Sequence, residues 1–140
     1  MLLPGAYRPH PLHALMLAFP VALFPAQLAA DITYLNTAEL QWTNFAAWLN
    51  AGALVMGGLV GVWAIIDAVL ARRRGGARRP LAYVIALALA WIIGLVNAFK
   101  HSQDAWSSVG AFGLTLSILS AVLVLIAGWI AWSGHTQETL

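Results

Sequence analysis

Residues 46–80 read AAWLNAGALVMGGLVGVWAIIDAVLARRRGGARRP. From Ala46 to Ala71 the only charged side chain is Asp67; then Arg72, Arg73 and Arg74 arrive in succession. An apolar run of this length is what a helix needs to cross roughly 30 Å of hydrocarbon, which takes about 20 residues. The run does not alternate with period two, which argues against a membrane strand. Residues 46–71 are therefore read as a transmembrane helix that stops at a polar, arginine-rich turn.

Working outward, three further runs share this character: about 12–34, 81–99 and 109–132. The fold expected is all-α, a polytopic membrane protein whose four transmembrane helices form one bundle and one domain over residues 1–140. Composition agrees. The chain is 61% hydrophobic and 9% charged, whereas a soluble domain carries about 25% charged residues. Mean hydropathy is +0.81. So few charges cannot cover a water-facing surface, so lipid must cover much of the outside.

With no cysteine, disulfides, thiolate metal sites, iron–sulfur clusters and thioether-linked haem are excluded. The pI of about 9.5 does not indicate nucleic acid, because five of the seven Lys+Arg residues lie in the single stretch 72–79. Positive charge is retained in the cytoplasm. That stretch, Arg8 and both termini are accordingly expected to be cytoplasmic, in a bacterial inner membrane, with Asp31, Glu39 and Asp104 facing outward. Leu28-Ala29-Ala30 before Asp31 looks like a signal-peptidase site. Arg8 is the sole basic residue ahead of it, and the first run is read as a retained helix.

Pro20 and Pro25 sit inside that first helix and remove N–H donors, so the carbonyls of Met16 and Val21 lose their usual partners and a kink is expected. This part of the helix should face other helices. Gly57 and Gly61, with Ala53 one turn before, form a small-xxx-small row, as do Gly113, Ser117 and Ala121. Such rows let helix backbones approach closely, within a bundle or against a partner. Trp42, Trp48, Trp106, Trp129 and Trp132 fit interfacial belts, while Trp63 and Trp91 lie deeper.

Polar residues within the runs fall into two layers. The cytoplasmic layer holds His10, His13, Asp67 and His135. Imidazoles oriented by a carboxylate would suit haem b iron or a divalent metal. The alternative is that Asp67 pairs with Arg8, Arg72 or Arg73 while the histidines cap helix ends. Bis-histidine ligation would need His10 or His13 with His135, because His13 and His101 lie at opposite ends. The outer layer holds Gln27, Asp31, Asn50, Asn97, His101 and Asp104. Asn97 and His101, four apart, share a helix face. This layer reads as a proton relay, as the headgroup end of a quinone or lipid site, or as interhelical hydrogen bonds with a solvated rim.

The opening Arg8-Pro9-His10-Pro11-Leu12-His13, followed by Phe19-Pro20-Val21-Ala22-Leu23 and then Asp31, resembles the bacterial membrane family called domain of unknown function 2231. Members open with His-Pro-x-His and a Phe-Pro pair, followed by an acidic residue near the end of helix one. The resemblance continues at Gly57-Gly58-Leu59 through Asp67, at Asn97 and at Gly128-Trp129, spanning nearly the whole chain. It implies a four-helix membrane domain and carries no activity with it. His10 and His13 match the family's opening pair. Members often have a basic residue and a Tyr-x-His-Gly ending after helix four, whereas Ala131-Trp132-Ser133-Gly134-His135 stands here, so His135 does not follow that pattern.

No Walker loop, His-Glu-x-x-His or nucleophile elbow is present in the sequence. The leading expectation is a non-catalytic subunit or stabilising partner of a larger respiratory or photosynthetic membrane complex, contacting lipid and other subunits or itself. An electron-transfer module binding haem b or a quinone is the alternative. A transporter or proton-conducting module ranks third, since no internal repeat is visible in the sequence.

Overall fold

The structure, a computed structural model, describes residues 10–74, 80–104, 107 and 109–133. Four α-helices account for almost all of them: α1 (Pro11–Thr37), α2 (Leu40–Arg74), α3 (Leu81–His101) and α4 (Ala111–Ser133). All four are long and apolar enough to cross a membrane. There is no strand among the described residues.

Local chemistry sets the helix ends. Pro11 occupies the first turn of α1, where its missing N–H costs nothing. His10 caps that turn through Nδ1, which accepts from the Leu12 N–H at 3.2 Å. The other end stops at Ala38, which takes a left-handed conformation with φ 56° and donates its N–H to the Tyr34 carbonyl at 2.8 Å. Only Ala38 and Glu39 separate α1 from α2, so the two helices run antiparallel as neighbours. α1 continues to Thr37, beyond the 12–34 run, and α2 begins at Leu40, ahead of the 46–71 run. Hydropathy registers contact with oil, and Gln41, Thr43 and Asn44 lower it without interrupting the backbone bonds of a helix.

The helices form a ring in which α1 packs on α2 and α4, and α3 packs on α4 and α2. Residues that meet across the bundle give the directions. His13 and Tyr83, both early in their helices, meet at one end. Asp31 and His101, both late, meet at the other. α1 and α3 are thus parallel and diagonal to each other.

The buried positions repeat in steps of four and three: Thr43, Ala46, Asn50, Ala53, Gly57, Val60 and Ala64 on α2, and His13, Leu17, Pro20, Phe24 and Gln27 on α1. A 3.5-residue repeat is the signature of left-handed bundle packing. The same pattern recurs 70 residues later. Tyr83, Leu87, Ala90, Gly94 and Asn97 are the buried counterparts on α3 of the five on α1. Gly113, Leu116, Ser120 and Ala127 likewise correspond to Thr43, Ala46, Asn50 and Gly57. The hairpins α1–α2 and α3–α4 thus share one register of buried positions. This repeat lies in the spacing of buried positions rather than in residue identity, so it is not visible in the sequence.

The interior is made mostly of small residues. Ala46, Ala53, Ala64, Ala90 and Ala127 are fully enclosed, while large apolar side chains such as Val55, Leu59, Ile92, Phe99 and Trp129 point outward. Helices apolar all round are those that meet lipid. Pro20 is buried, and a Cβ built on Gly57 would lie 3.6 Å from its ring. At Gly94 the approach is closer still: an added Cβ would sit 2.6 Å from Phe24 Cε1. Glycine is required there for the diagonal α1–α3 contact.

Candidate functional site

Above the Phe24–Gly94 layer the core turns polar. Gln27 and Asp31 are four apart on α1 and so share a face; Asn97 and His101 do the same on α3, and Ser117 meets them from α4. His101 Nε2 lies 2.8 Å from Asp31 Oδ1, with the two side chains 1% and 0% exposed. Ser117 Oγ donates to Asp31 Oδ2. The same hydroxyl accepts from Asn97 Nδ2 at 2.8 Å and from Gln27 Nε2 at 3.4 Å. Its own helix offers a second acceptor, the Gly113 carbonyl at 3.2 Å.

His101 Nδ1 faces the Asn97 backbone carbonyl at 2.9 Å. A carbonyl only accepts, so Nδ1 carries hydrogen. Nε2 then faces a carboxylate oxygen, and one more hydrogen must lie between them, on the ring or on the acid. In either arrangement the pair is neutral overall, which is what lets two ionisable groups persist inside a membrane bundle.

The amide side chains close one side of the network and leave another open. Gln27 Oε1 and Asn97 Oδ1 are buried and meet no hydrogen-bond donor among the described residues. Asn50 Oδ1 is in the same situation, while Asn50 Nδ2 donates to the Gly94 carbonyl at 3.0 Å. Gly94 is one turn from Asn97, so three acceptors from α1, α2 and α3 stand in adjoining layers. Buried acceptors in such numbers call for a donor such as water.

At the opposite end, His13 is fully buried and its Nε2 lies 2.8 Å from the Tyr83 hydroxyl. Trp63 packs beside both histidines, with ring centroids 5.7 Å from His10 and 5.4 Å from His13. His10 is exposed and spends Nδ1 on its helix cap. Asp67 is half-buried on the Trp63 side of α2, one turn further on. His135, Arg8 and Trp106 lie outside the described residues. No group of three or more His, Cys, Asp or Glu among the described residues is arranged to hold a metal ion. Coordination by His13 through Nε2 would displace the Tyr83 hydroxyl.

The structure therefore brings Gln27, Asp31, Asn97 and His101 of the outer layer together and adds one residue to them. Ser117, which its spacing marks as a packing position, is the centre of the hydrogen bonds. Gln27 belongs beside it. Asp104 is exposed at the rim, and Asn50 bonds to α3 one layer away. Of the packing glycines, Gly57 lies against Pro20 and Trp91, Gly113 is buried beside Ser117, and a Cβ on Gly61 would meet nothing within 4 Å. Tyr83 and Gly94 carry no motif in the sequence. A tyrosine one turn into α3, at the same end as His13, was the only signal for the first.

Comparison with known proteins gives one result. A family model described as a predicted membrane protein, DUF2231, matches residues 9–136. No curated protein and no solved structure matches the chain.

Proposed function

The chain belongs to the DUF2231 family of predicted membrane proteins, and from that premise we propose that it is a non-catalytic inner-membrane protein whose Asp31–His101 pair binds and releases protons. One observation carries this reading. Each oxygen of the Asp31 carboxylate is held by a side chain from a different helix, His101 on α3 and Ser117 on α4. A buried ionisable pair is costly in a membrane and is a functional hypothesis by default.

The pair is suited to exchange. One hydrogen lies between Nε2 and Oδ1 in either of two arrangements, and moving it separates no charge from the pair. His101 is the last residue of α3, followed by exposed Ser102, Gln103 and Asp104, so the path from the ring to water is short. On the inner side, the open amide oxygens of Gln27 and Asn97 are acceptors for water that relays the proton. The clustering of positive charge supports an orientation with Arg72–Arg74 cytoplasmic; on that reading the pair lies toward the outer face, and an even number of spans leaves both chain ends on the arginine side. A site that only binds protons needs a neighbour that supplies or uses them. The reading therefore makes the protein an accessory subunit of a respiratory or photosynthetic assembly.

Infrared difference spectra of the protein in lipid, recorded between acid and alkaline pH, test it. Carboxyl and imidazole bands should change together, and both changes should vanish in Asp31→Asn and in His101→Gln. Unchanged spectra in either variant, with the fold intact, would refute the assignment.

A further inference from the structure

The geometry points to a binding groove for an anionic phospholipid between α2 and α3, separate from the proton site. A cavity of about 330 Å³ lies there, lined by Gly57, Gly58, Gly61, Ile65, Leu87 and Trp91 among other residues, all of them apolar. Ile65, Val62 and Ile92 on its rim are exposed, so it opens on the outer surface of the bundle. Trp91 is fixed as one wall: its Nε1–H donates to the Leu54 carbonyl at 2.9 Å, an approach that a Cβ on Gly58, 3.3 Å from Nε1, would crowd.

The repeat supplies an internal comparison. Seventy residues on from Gly58 stands Gly128, at the α4–α1 seam. There a Cβ would lie 3.1 Å from both Val21 Cγ2 and Trp132 Cζ3. Gly58 is met in the same way by Trp91, 3.3 Å from an added Cβ; the α2–α3 seam opens one turn further on, at Gly61, where a Cβ would meet nothing within 4 Å.

Length and charge select the occupant. On α2 the cavity runs from Gly57 to Ile65, about 12 Å of helix and less than half of the roughly 30 Å hydrocarbon thickness. It lies in the half of α2 nearer the arginines. A transmembrane helix from a partner or a second copy would need a seam through both leaflets; one acyl chain needs only one. Arg72 is seven residues beyond Ile65, so it falls on the same face, about 10 Å further toward the interface, and it is exposed. Asp67 lies one turn beyond Trp63, on the helix face that meets His10 and His13 at the start of α1. A hydrocarbon groove with a cationic side chain about 10 Å beyond its end, toward the interface, matches an acyl chain that leads to a phosphate, and basic sites at the cytoplasmic ends of transmembrane helices bind such headgroups.

Native mass spectrometry of the full chain released from nanodiscs tests this with phosphatidylglycerol against phosphatidylcholine. The wild type should retain phosphatidylglycerol preferentially. Arg72→Gln, on an exposed turn, should reduce that preference roughly fivefold. Gly61→Leu, which fills the groove without meeting another atom at its Cβ, should reduce retention of both lipids, with circular dichroism confirming that the helices persist. Equal retention of the two lipids by the wild type overturns the proposal. So does undiminished retention in Gly61→Leu, or a dimer or bound protein that disappears in that variant.

Discussion

His101 Nε2 and Asp31 Oδ1, 2.8 Å apart, join two helices that stand diagonally across the bundle and share no broad seam. They are 70 residues apart in sequence, as are His13 and Tyr83 at the other end. Phe24 and Gly94 touch at the same offset between them. The diagonal is thus held at three levels: by a hydroxyl on an imidazole, by a ring on a glycine, and by an imidazole on a carboxylate. Each level uses the same register of two parallel helices.

The upper level gives the first prediction. Removing one partner of a buried pair strands the other, at a typical cost of about 3 kcal/mol or more, whereas replacing both by apolar groups is often close to neutral. Asp31→Leu and His101→Leu should each destabilise the folded bundle by about that amount. The double variant should recover much of the loss, despite the bonds Ser117 and Asn97 forfeit. Unfolding in mixed micelles of increasing denaturing detergent measures all three. Additive losses in the double variant would show that the two side chains do not act as a pair.

The middle level gives the second. Gly94→Ala places a methyl 2.6 Å from the Phe24 ring and 3.3 Å from Leu54 Cδ2, so the diagonal must open. Overpacking of this kind costs about 1–3 kcal/mol. Gly61→Ala meets nothing within 4 Å and should be neutral or stabilising, since alanine favours a helix over glycine by up to about 1 kcal/mol. The same unfolding assay should separate the two glycines by sign or by more than 1 kcal/mol in magnitude.

These levels were unequally legible in the sequence. Four apolar runs disclosed four helices, because each must cover itself with apolar side chains in lipid. Asp31, Asn97 and His101 could be grouped by depth, since charge and amide groups stand out against leucine and alanine. Ser117 could not be told from a packing residue: a small hydroxyl side chain serves both purposes, and only the arrival of Gln27, Asn97 and Asp31 from other helices distinguishes them. Gly94 escaped notice because Ala90 and Ala98, four residues to either side, are common in any apolar helix; what Gly94 accommodates is a phenyl ring from across the bundle. The 70-residue repeat escaped for a related reason. It preserves which positions are buried while pairing histidine with tyrosine and phenylalanine with glycine.

The connection between α1 and α2 gives the third prediction. Ala38 holds φ 56°, a left-handed conformation that costs an L-residue with a Cβ roughly 1–2 kcal/mol and glycine little. Ala38→Gly should preserve the N–H bond to Tyr34 and raise stability by up to about 1 kcal/mol, part of the relief being lost to the greater freedom of glycine in the unfolded chain. A fall in the unfolding midpoint would mean that Ala38 contributes through its methyl group rather than tolerating its backbone.

Ser117 and Ser120 on α4 give the last, because they are both fully buried and differ only in whom they meet. Ser120 Oγ donates to the Leu116 carbonyl of its own helix at 2.9 Å, an acceptor already used by the backbone. Ser120→Ala should change stability by no more than about 0.5 kcal/mol and leave the infrared bands of the Asp31–His101 pair in place. Ser117→Ala removes a donor to Asp31 Oδ2 and the acceptor for both Asn97 Nδ2 and Gln27 Nε2. A stranded buried polar group costs about 1–3 kcal/mol, and three are stranded at once, though water can enter to satisfy some of them. Ser117→Ala should therefore destabilise by about 2 kcal/mol or more and shift the carboxyl band of Asp31. Ser117→Thr keeps the hydroxyl and should retain that band, so the pair of substitutions separates loss of the hydrogen bond from loss of packing volume. If Ser117→Ala leaves the band unmoved, Asp31 does not depend on α4, and the three-helix site reduces to a contact between α1 and α3.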